Sequence, residues 1–126
     1  MRIPKLNIGG LIAEIPIIQG AMGVGVSGSM LAAAVANEGG IGVIAGVDIG
    51  YKEPDFIKNL LKANIRALKS EIQKARQLAP KGIIGINLMV AMSHYSEIAR
   101  AAVDEGIDLI ISGAGLPLDL PQRSWF

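Results

Sequence analysis

Short apolar runs alternate along the chain with longer segments in which apolar residues recur at helical spacing. Four runs lack polar alternation, at positions 15–19, 41–46, 82–90 and 107–113. Runs of this kind are typical of strands buried on both faces, as in a parallel sheet. Ahead of them, two apolar pieces flank Gly9 and Gly10. A two-residue Gly-Gly link predicts a hairpin, because its turn needs positive φ angles.

The segment between the first two runs predicts a helix that ends near Asn37. Met30, Leu31, Ala34 and Val35 follow one another at helical spacing. Ser27 or Ser29 is the expected N-cap. Gly39 is expected to stop the helix in the left-handed conformation.

A long helix is predicted over positions 54–79, with Pro54 in its first turn and Pro80 beyond its end. Lysines and arginines occupy the face opposite its apolar stripe, and we interpret them as a solvated surface. The apolar stripe consists of Phe56, Ile57, Leu60, Leu61, Ile65, Leu68, Ile72, Ala75 and Leu78.

A third helix is predicted over 96–106, with Ser96 as its cap and Gly106 as its stop. The order is then a hairpin followed by β-α-β-α-β-α-β. Strands that alternate with helices predict an α/β domain with right-handed crossovers and a parallel sheet. The tail from Gln122 to Phe126 does not complete another helix.

Composition narrows the class of protein. The 126 residues are 51% hydrophobic with a net charge of +1, which favours a single packed domain and gives no electrostatic case for nucleic acid. The absence of cysteine excludes disulfides and thiolate metal sites, and the lone His94 does not predict a metal site. No stretch reaches the ~20 apolar residues of a membrane span, and the first residues do not resemble a secretory signal. We therefore expect a soluble cytoplasmic protein.

Candidate chemistry lies where the strands end, because function in parallel α/β folds collects at their carboxyl ends. The first run leads into Gly20-Ala21-Met22-Gly23-Val24-Gly25. This pattern is not the dinucleotide fingerprint, and no acidic residue follows the second strand. The glycines are explained equally well by tight turns and by a ligand that touches the backbone.

Asn87 is more informative, because an amide within an apolar strand is costly to bury without partners. Either neighbouring backbone satisfies it or it faces a ligand, and its place near the strand's end favours the ligand. Met22, Met89 and Met92 either contact a flat ring or fill the core. His94 is expected to be a surface residue rather than a base.

Three stretches, 16–46, 85–90 and 111–121, together resemble one family. They are similar to the flavin-dependent nitronate monooxygenases, formerly called 2-nitropropane dioxygenases. The related flavin-dependent enoyl-acyl-carrier-protein reductases share these patterns. The resemblance implies the N-terminal half of a TIM (β/α)8 barrel that binds FMN at the carboxyl ends of its strands.

It also implies roles for individual residues. Ala21, Met22 and Gly23 would lie against the isoalloxazine ring, and Asn87 would hydrogen-bond to the flavin. The implied cofactor-binding set is Gly20, Ala21, Met22, Gly23, Asn87, Gly113, Ala114 and Gly115.

Length is the departure from the family, since a barrel of this type needs ~250 residues. The family's phosphate-binding loops and its histidine base would lie beyond Phe126, so the catalytic residue is not identified. We therefore expect a truncated form. The substrate is a small molecule, either a nitronate or an enoyl thioester. The alternative is a non-catalytic half-barrel that forms a homo-oligomer through open sheet edges.

Overall fold

The structure is a computed structural model and describes residues 3–122. The chain begins with a hairpin of β1 (Leu6–Ile8) and β2 (Leu11–Ala13). Helices and strands then alternate: α1 (Ser29–Asn37), β3 (Ile41–Ala45), α2 (Leu60–Leu78), β4 (Ile83–Met89), α3 (Tyr95–Asp104) and β5 (Leu109–Gly113). A 3-10 turn at Leu120–Gln122 follows. The rest of the predicted non-helical tail, 123–126, lies outside the described residues.

The predicted N-terminal hairpin is confirmed. β1 and β2 pair antiparallel, with Ile8 opposite Leu11. Gly9 and Gly10 connect them with φ angles of +54° and +89°. Both angles lie in the region that glycine enters without steric cost, which is why two glycines suit this turn.

The parallel sheet has the order β3-β4-β5, so strands that follow one another in the chain are neighbours. The prediction of a full strand at 15–19 was wrong in extent, because that segment makes only an isolated bridge between Ile18 and Ile41. Around the bridge, Ile41 N–H donates to Ile17 O at 2.9 Å and Gln19 N–H donates to Ile41 O at 3.0 Å. Beyond Gln19 the main chain leaves β3.

All three helices pack on one face of the sheet, and we call it the helix face. Its core combines strand side chains such as Ile44, Ile86 and Leu88 with small and branched residues of α1, α2 and α3. α1 packs against α2, and α2 packs against α3. Gly42 allows α1 to approach β3 closely, because a Cβ there would clash with the Ala32 carbonyl.

The opposite face of the sheet, which we call the open face, is covered less completely. A small cluster of Ala13, Ile41 and Val43 forms its buried centre. Half-buried apolar side chains surround the cluster: Leu6, Ala21, Ile83, Leu109 and Ile111. The hairpin and the segment after the first bridge therefore provide what cover this face has.

Neither Ser27 nor Ser29 caps α1 with its side chain, so that prediction was wrong. Gly28 is the N-cap, and Glu71 of α2 accepts the Ser29 N–H at 2.6 Å. A carboxylate from a neighbouring helix thus satisfies a donor that a local hydroxyl was expected to take. The predicted stop is confirmed, since Gly39 has a φ of +88°.

The predicted start of the long helix was also wrong, because α2 begins at Leu60. Pro54 and Ile57 lie in preceding turns, and Ile57 is 94% exposed. Arg66 of α2 holds these turns through Glu53, at 2.5 Å, and through Asp55. Its hydrogen bond lowers the pKa of Asp55.

His94 is the N-cap of α3 and has a left-handed φ of +62°. The predicted cap at Ser96 was therefore wrong. Gly106, with a φ of +77°, follows the helix as predicted. Within residues 3–122, no helix has the length and the apolar character that crossing a membrane requires.

Candidate functional site

The carboxyl ends of the parallel strands bring several of the predicted residues to one edge of the sheet. Asn87 of β4 lies in register between Ala45 of β3 and Ile111 of β5. Two positions further along, Met89 pairs with Gly113. Because side chains alternate along a strand, Asn87 and Gly113 both belong to the open face.

Asn87 is half-buried and only partly satisfied by the chain. Its Nδ2 donates to Ile111 O at 3.2 Å. Within residues 3–122, its Oδ1 accepts no hydrogen bond. One N–H of the amide is therefore bonded to neighbouring backbone, which was one of the two interpretations of the sequence. The carbonyl oxygen and the second N–H remain available to a ligand.

The glycine loop after Gln19 is held by two side chains, Gln19 and Ser27, to which sequence analysis assigned no part in the site. Gln19 Oε1 accepts the Val43 N–H at 3.2 Å, and its Nε2 donates to Val43 O at 3.1 Å. Nε2 also donates to Ser27 Oγ at 3.1 Å. Ser27 Oγ in turn accepts the Met22 N–H at 2.9 Å. The sequence did contain a signal for this arrangement: a glutamine and a serine flank a glycine loop that follows an apolar run.

The space around each glycine shows why it lacks a side chain. Some glycines are needed for packing within the chain, whereas others border space that a ligand could occupy. A Cβ on Gly20 would meet nothing within 4 Å, and one on Gly113 would meet only Asn87 Nδ2, at 3.9 Å. At Gly23 a Cβ would lie 2.6 Å from Val47 Cγ1, and at Gly25 it would clash with the Tyr51 hydroxyl. Gly23 and Gly25 thus allow the following loop to pack, whereas Gly20 and Gly113 border open space.

The remaining predicted residues divide in the same way. Ala21 is half-buried and packs on the open-face cluster, while Met22 is 53% exposed. Ala114 has a φ of +53°, and a Cβ on Gly115 would lie 2.9 Å from Val90 Cβ. Gly115 therefore has a reason within the chain to lack a side chain.

The other candidates from sequence lie elsewhere. Met92 packs against the helix-face core, which makes it a core residue, whereas Met89 is 36% exposed at the edge of the open face. His94 has an exposed side chain whose Nδ1 lies 3.5 Å from Glu97 Oε1. Over residues 3–122, no three His, Asp or Glu side chains come together as a metal site.

The family model of nitronate monooxygenase matches residues 6–116. This range includes the hairpin, the parallel sheet, its three helices and every residue of the candidate site. Comparison with curated proteins finds no match.

Proposed function

Since the chain belongs to the nitronate monooxygenase family, we propose that it binds FMN and acts in the oxidation of nitronates. The observation that carries the proposal is the open face at the carboxyl ends of the strands. There an amide with an unused oxygen, Asn87, stands beside Gly113, whose Cα borders open space. A flat ring needs such a combination of bare backbone and a few polar groups.

The residues present fit a flavin by their chemistry. Asn87 offers an acceptor and a donor to the polar edge of the ring. The N–H groups of Gly20 and Ala21 are donated to no other residue in the described range, so they are open to ligand oxygens. Ala21, Met22 and Gly23 would line one side of the ring, and Gly113, Ala114 and Gly115 the cavity beside it.

The chemistry that bound FMN would supply is redox: it would accept electrons from the nitronate and pass them to O₂. The contribution of this chain would be to bind and orient the flavin. The Asn87 amide would hold the ring, and the exposed Met22 side chain would shield it from water. No residue of the described chain is assigned the base, since His94 lies in the connection before α3 and pairs with Glu97.

We propose further that the sheet is part of a (β/α)8 barrel. Sequential strands are neighbours, and α1, α2 and α3 all pack on one face. A doubly wound sheet would place helices on both faces, whereas a barrel places them all outside. The open face would then be the barrel interior.

A titration of FMN into the full chain, with quenching of flavin fluorescence as the measured signal, tests the proposal directly. Saturable binding supports it, and absence of binding at high micromolar FMN contradicts it. Oxidation of a small nitronate with O₂, assayed in a protein that carries all eight strands, tests the reaction. Reduction of an enoyl thioester with NAD(P)H, without nitronate oxidation, would contradict the nitronate assignment.

We also propose that residues 1–126 alone do not turn over substrate and that they self-associate. Ile17 and Ile18 are 59% and 43% exposed at the bridge that ends the sheet. Apolar surface next to an unpaired strand edge favours association. Mass in solution tests this, with Ile17→Lys expected to shift the chain toward monomer. A monomeric wild type that oxidises nitronate would overturn both statements.

A further inference from the structure

The outer edge of β3 is paired in three different ways at three successive outward positions. At Ile41 the partner is main chain, from Ile17 and Gln19. At Val43 the Gln19 side chain takes both the N–H and the C=O. At Ala45 the N–H donates to Ser27 O at 2.9 Å. A side-chain amide has the same donor and acceptor groups as a peptide unit, so Gln19 replaces the next step of a strand.

This replacement frees the main chain after Gln19 to leave the sheet one step early. A regular parallel strand would have continued with peptide groups of residues 19 to 21 against Val43. Instead, Gly20 and Ala21 are released from pairing, and the Ala21 side chain packs on the open-face cluster.

Ser27 then fixes where the released segment goes. Its side chain accepts the Met22 N–H at 2.9 Å, and its own N–H donates to Met22 O at 2.9 Å. The residue is 3% exposed, and its Oγ also lies 3.5 Å from Gly20 O. One buried hydroxyl therefore closes the base of the loop and joins it to Gln19, and through Gln19 to β3.

We propose that Gln19 and Ser27 are positioning residues that set the distance between the Gly20–Met22 peptide groups and the open face of the sheet. The inference rests on the proposed function, because the flavin ring would lie against these peptide groups. Neither side chain is assigned a contact with the flavin. Both act through the loop, which they hold in place before a ligand arrives.

Amide hydrogen exchange of the full chain without ligand tests the positioning itself. Ser27→Ala removes the acceptor of the Met22 N–H, and exchange of the Met22 and Ser27 N–H groups, which close the base of the loop, should rise about fivefold or more, as expected for losing one hydrogen bond. Ser29→Ala is the matched control, since Ser29 is 4% exposed and its hydroxyl takes no part in the network. Equal exchange of the loop in both variants and wild type would overturn the proposal.

Gln19→Met provides a second variant, because it keeps chain length and removes every polar group. Exchange of the Met22 and Ser27 N–H groups should rise as in Ser27→Ala, while exchange of β4 and β5 stays as in wild type. Gln77→Met, at an exposed position of α2, is its control. Exchange that rises uniformly over the whole chain would indicate general destabilisation and contradict a positioning role.

FMN binding and the visible flavin spectrum then connect the network to the cofactor. Ser27→Ala should weaken FMN binding about fivefold and move the flavin absorption toward that of free FMN, whereas Ser29→Ala should do neither. A wild type that does not bind FMN contradicts the proposed function, while the exchange experiment still decides the positioning. A wild type that binds, with Ser27→Ala binding equally well, overturns the further inference alone.

Discussion

The two faces of the parallel sheet are built from the same strands and finished to different degrees. On the helix face, Ile44, Ile86 and Leu88 are fully buried under helices of the same chain. On the open face, Asn87 and Gly113 of the neighbouring positions stay half-buried, and Met89 is 36% exposed. The difference teaches that the larger part of the buried core lies on the helix face. We propose that ligand binding is concentrated on the open face.

The largest expected contrast comes from the same truncation on the two sides. Ile86→Ala should lower the free energy of unfolding by about 2–5 kcal/mol, because it leaves a cavity in the packed helix face. Ile18 lies on the open face beside its bridge partner Ile41, and Ile18→Ala should cost less than about 1 kcal/mol, since that side chain is 43% exposed. Urea unfolding of both variants measures the difference, and equal losses would show that the faces contribute alike.

Adding one methyl group to a glycine on each face sharpens the comparison. Gly42→Ala should destabilise by about 1–3 kcal/mol, because its Cβ meets the Ala32 carbonyl of α1. Gly113→Ala should leave the free energy of unfolding within about 0.5 kcal/mol of wild type, since its Cβ meets only Asn87 Nδ2. FMN titration completes the test. Weaker binding in Gly113→Ala, without loss of stability, supports a cofactor on the open face, and unchanged binding counts against it.

Removing one amide on each side of the sheet has a smaller effect. Asn87→Ala should weaken FMN binding by about 1 kcal/mol, the contribution of one good hydrogen bond. Asn37→Ala is the control, because Asn37 of α1 also donates an N–H to a backbone carbonyl, Leu78 O at 3.0 Å. Fluorescence titration should find the Asn37 variant like wild type. Equal FMN affinity in the Asn87 variant would remove this residue from the site.

The smallest effect concerns acid stability at the contact between α2 and α3. Hydrogen bonds from Lys69 and then Gln73, each 2.9 Å from a carboxylate oxygen, hold the pKa of Glu105 below its ordinary value. A lowered folded pKa stabilises the protein above the ordinary value near 4.5 and ceases to do so as the pH falls through the lowered one.

Glu105→Gln should therefore cost less than about 1 kcal/mol at pH 7, because the pair is partly solvated, and still less at pH 3. Thermal unfolding at the two pH values measures the change. A variant that loses more stability at pH 3 than at pH 7 would contradict the assigned direction.

The packing of the helix face was largely predictable from the sequence. The ends of its helices and the structure of the open face were not. The spacing of Leu68, Ile72 and Ala75 predicts a buried stripe, and all three are buried. The predicted N-cap of α1 was wrong because a tertiary partner took the place of a local one. Glu71, which accepts the Ser29 N–H, lies 42 positions from Ser29 along the chain. In the same way, Arg66 holds Glu53 and Asp55 outside the helix that Pro54 was expected to start.

The candidate site was predictable where it depends on strand direction alone. Asn87 and Gly113 follow from the rule that parallel strands end at one edge. Gln19 and Ser27 could not be found in this way. Their role depends on the main chain leaving the sheet after the first bridge, and an apolar run does not report where its pairing stops.

The way in which the outer edge of β3 is closed has a consequence for the order of folding during synthesis. Val43 is 24 positions from Gln19, and the partners of Ile41 and Ala45 also precede the strand in the chain. This edge can therefore close before the residues of β4 have left the ribosome, and contacts of short sequence separation form early. The nascent chain would then expose one growing edge, toward β4, while the glycine loop is already in place.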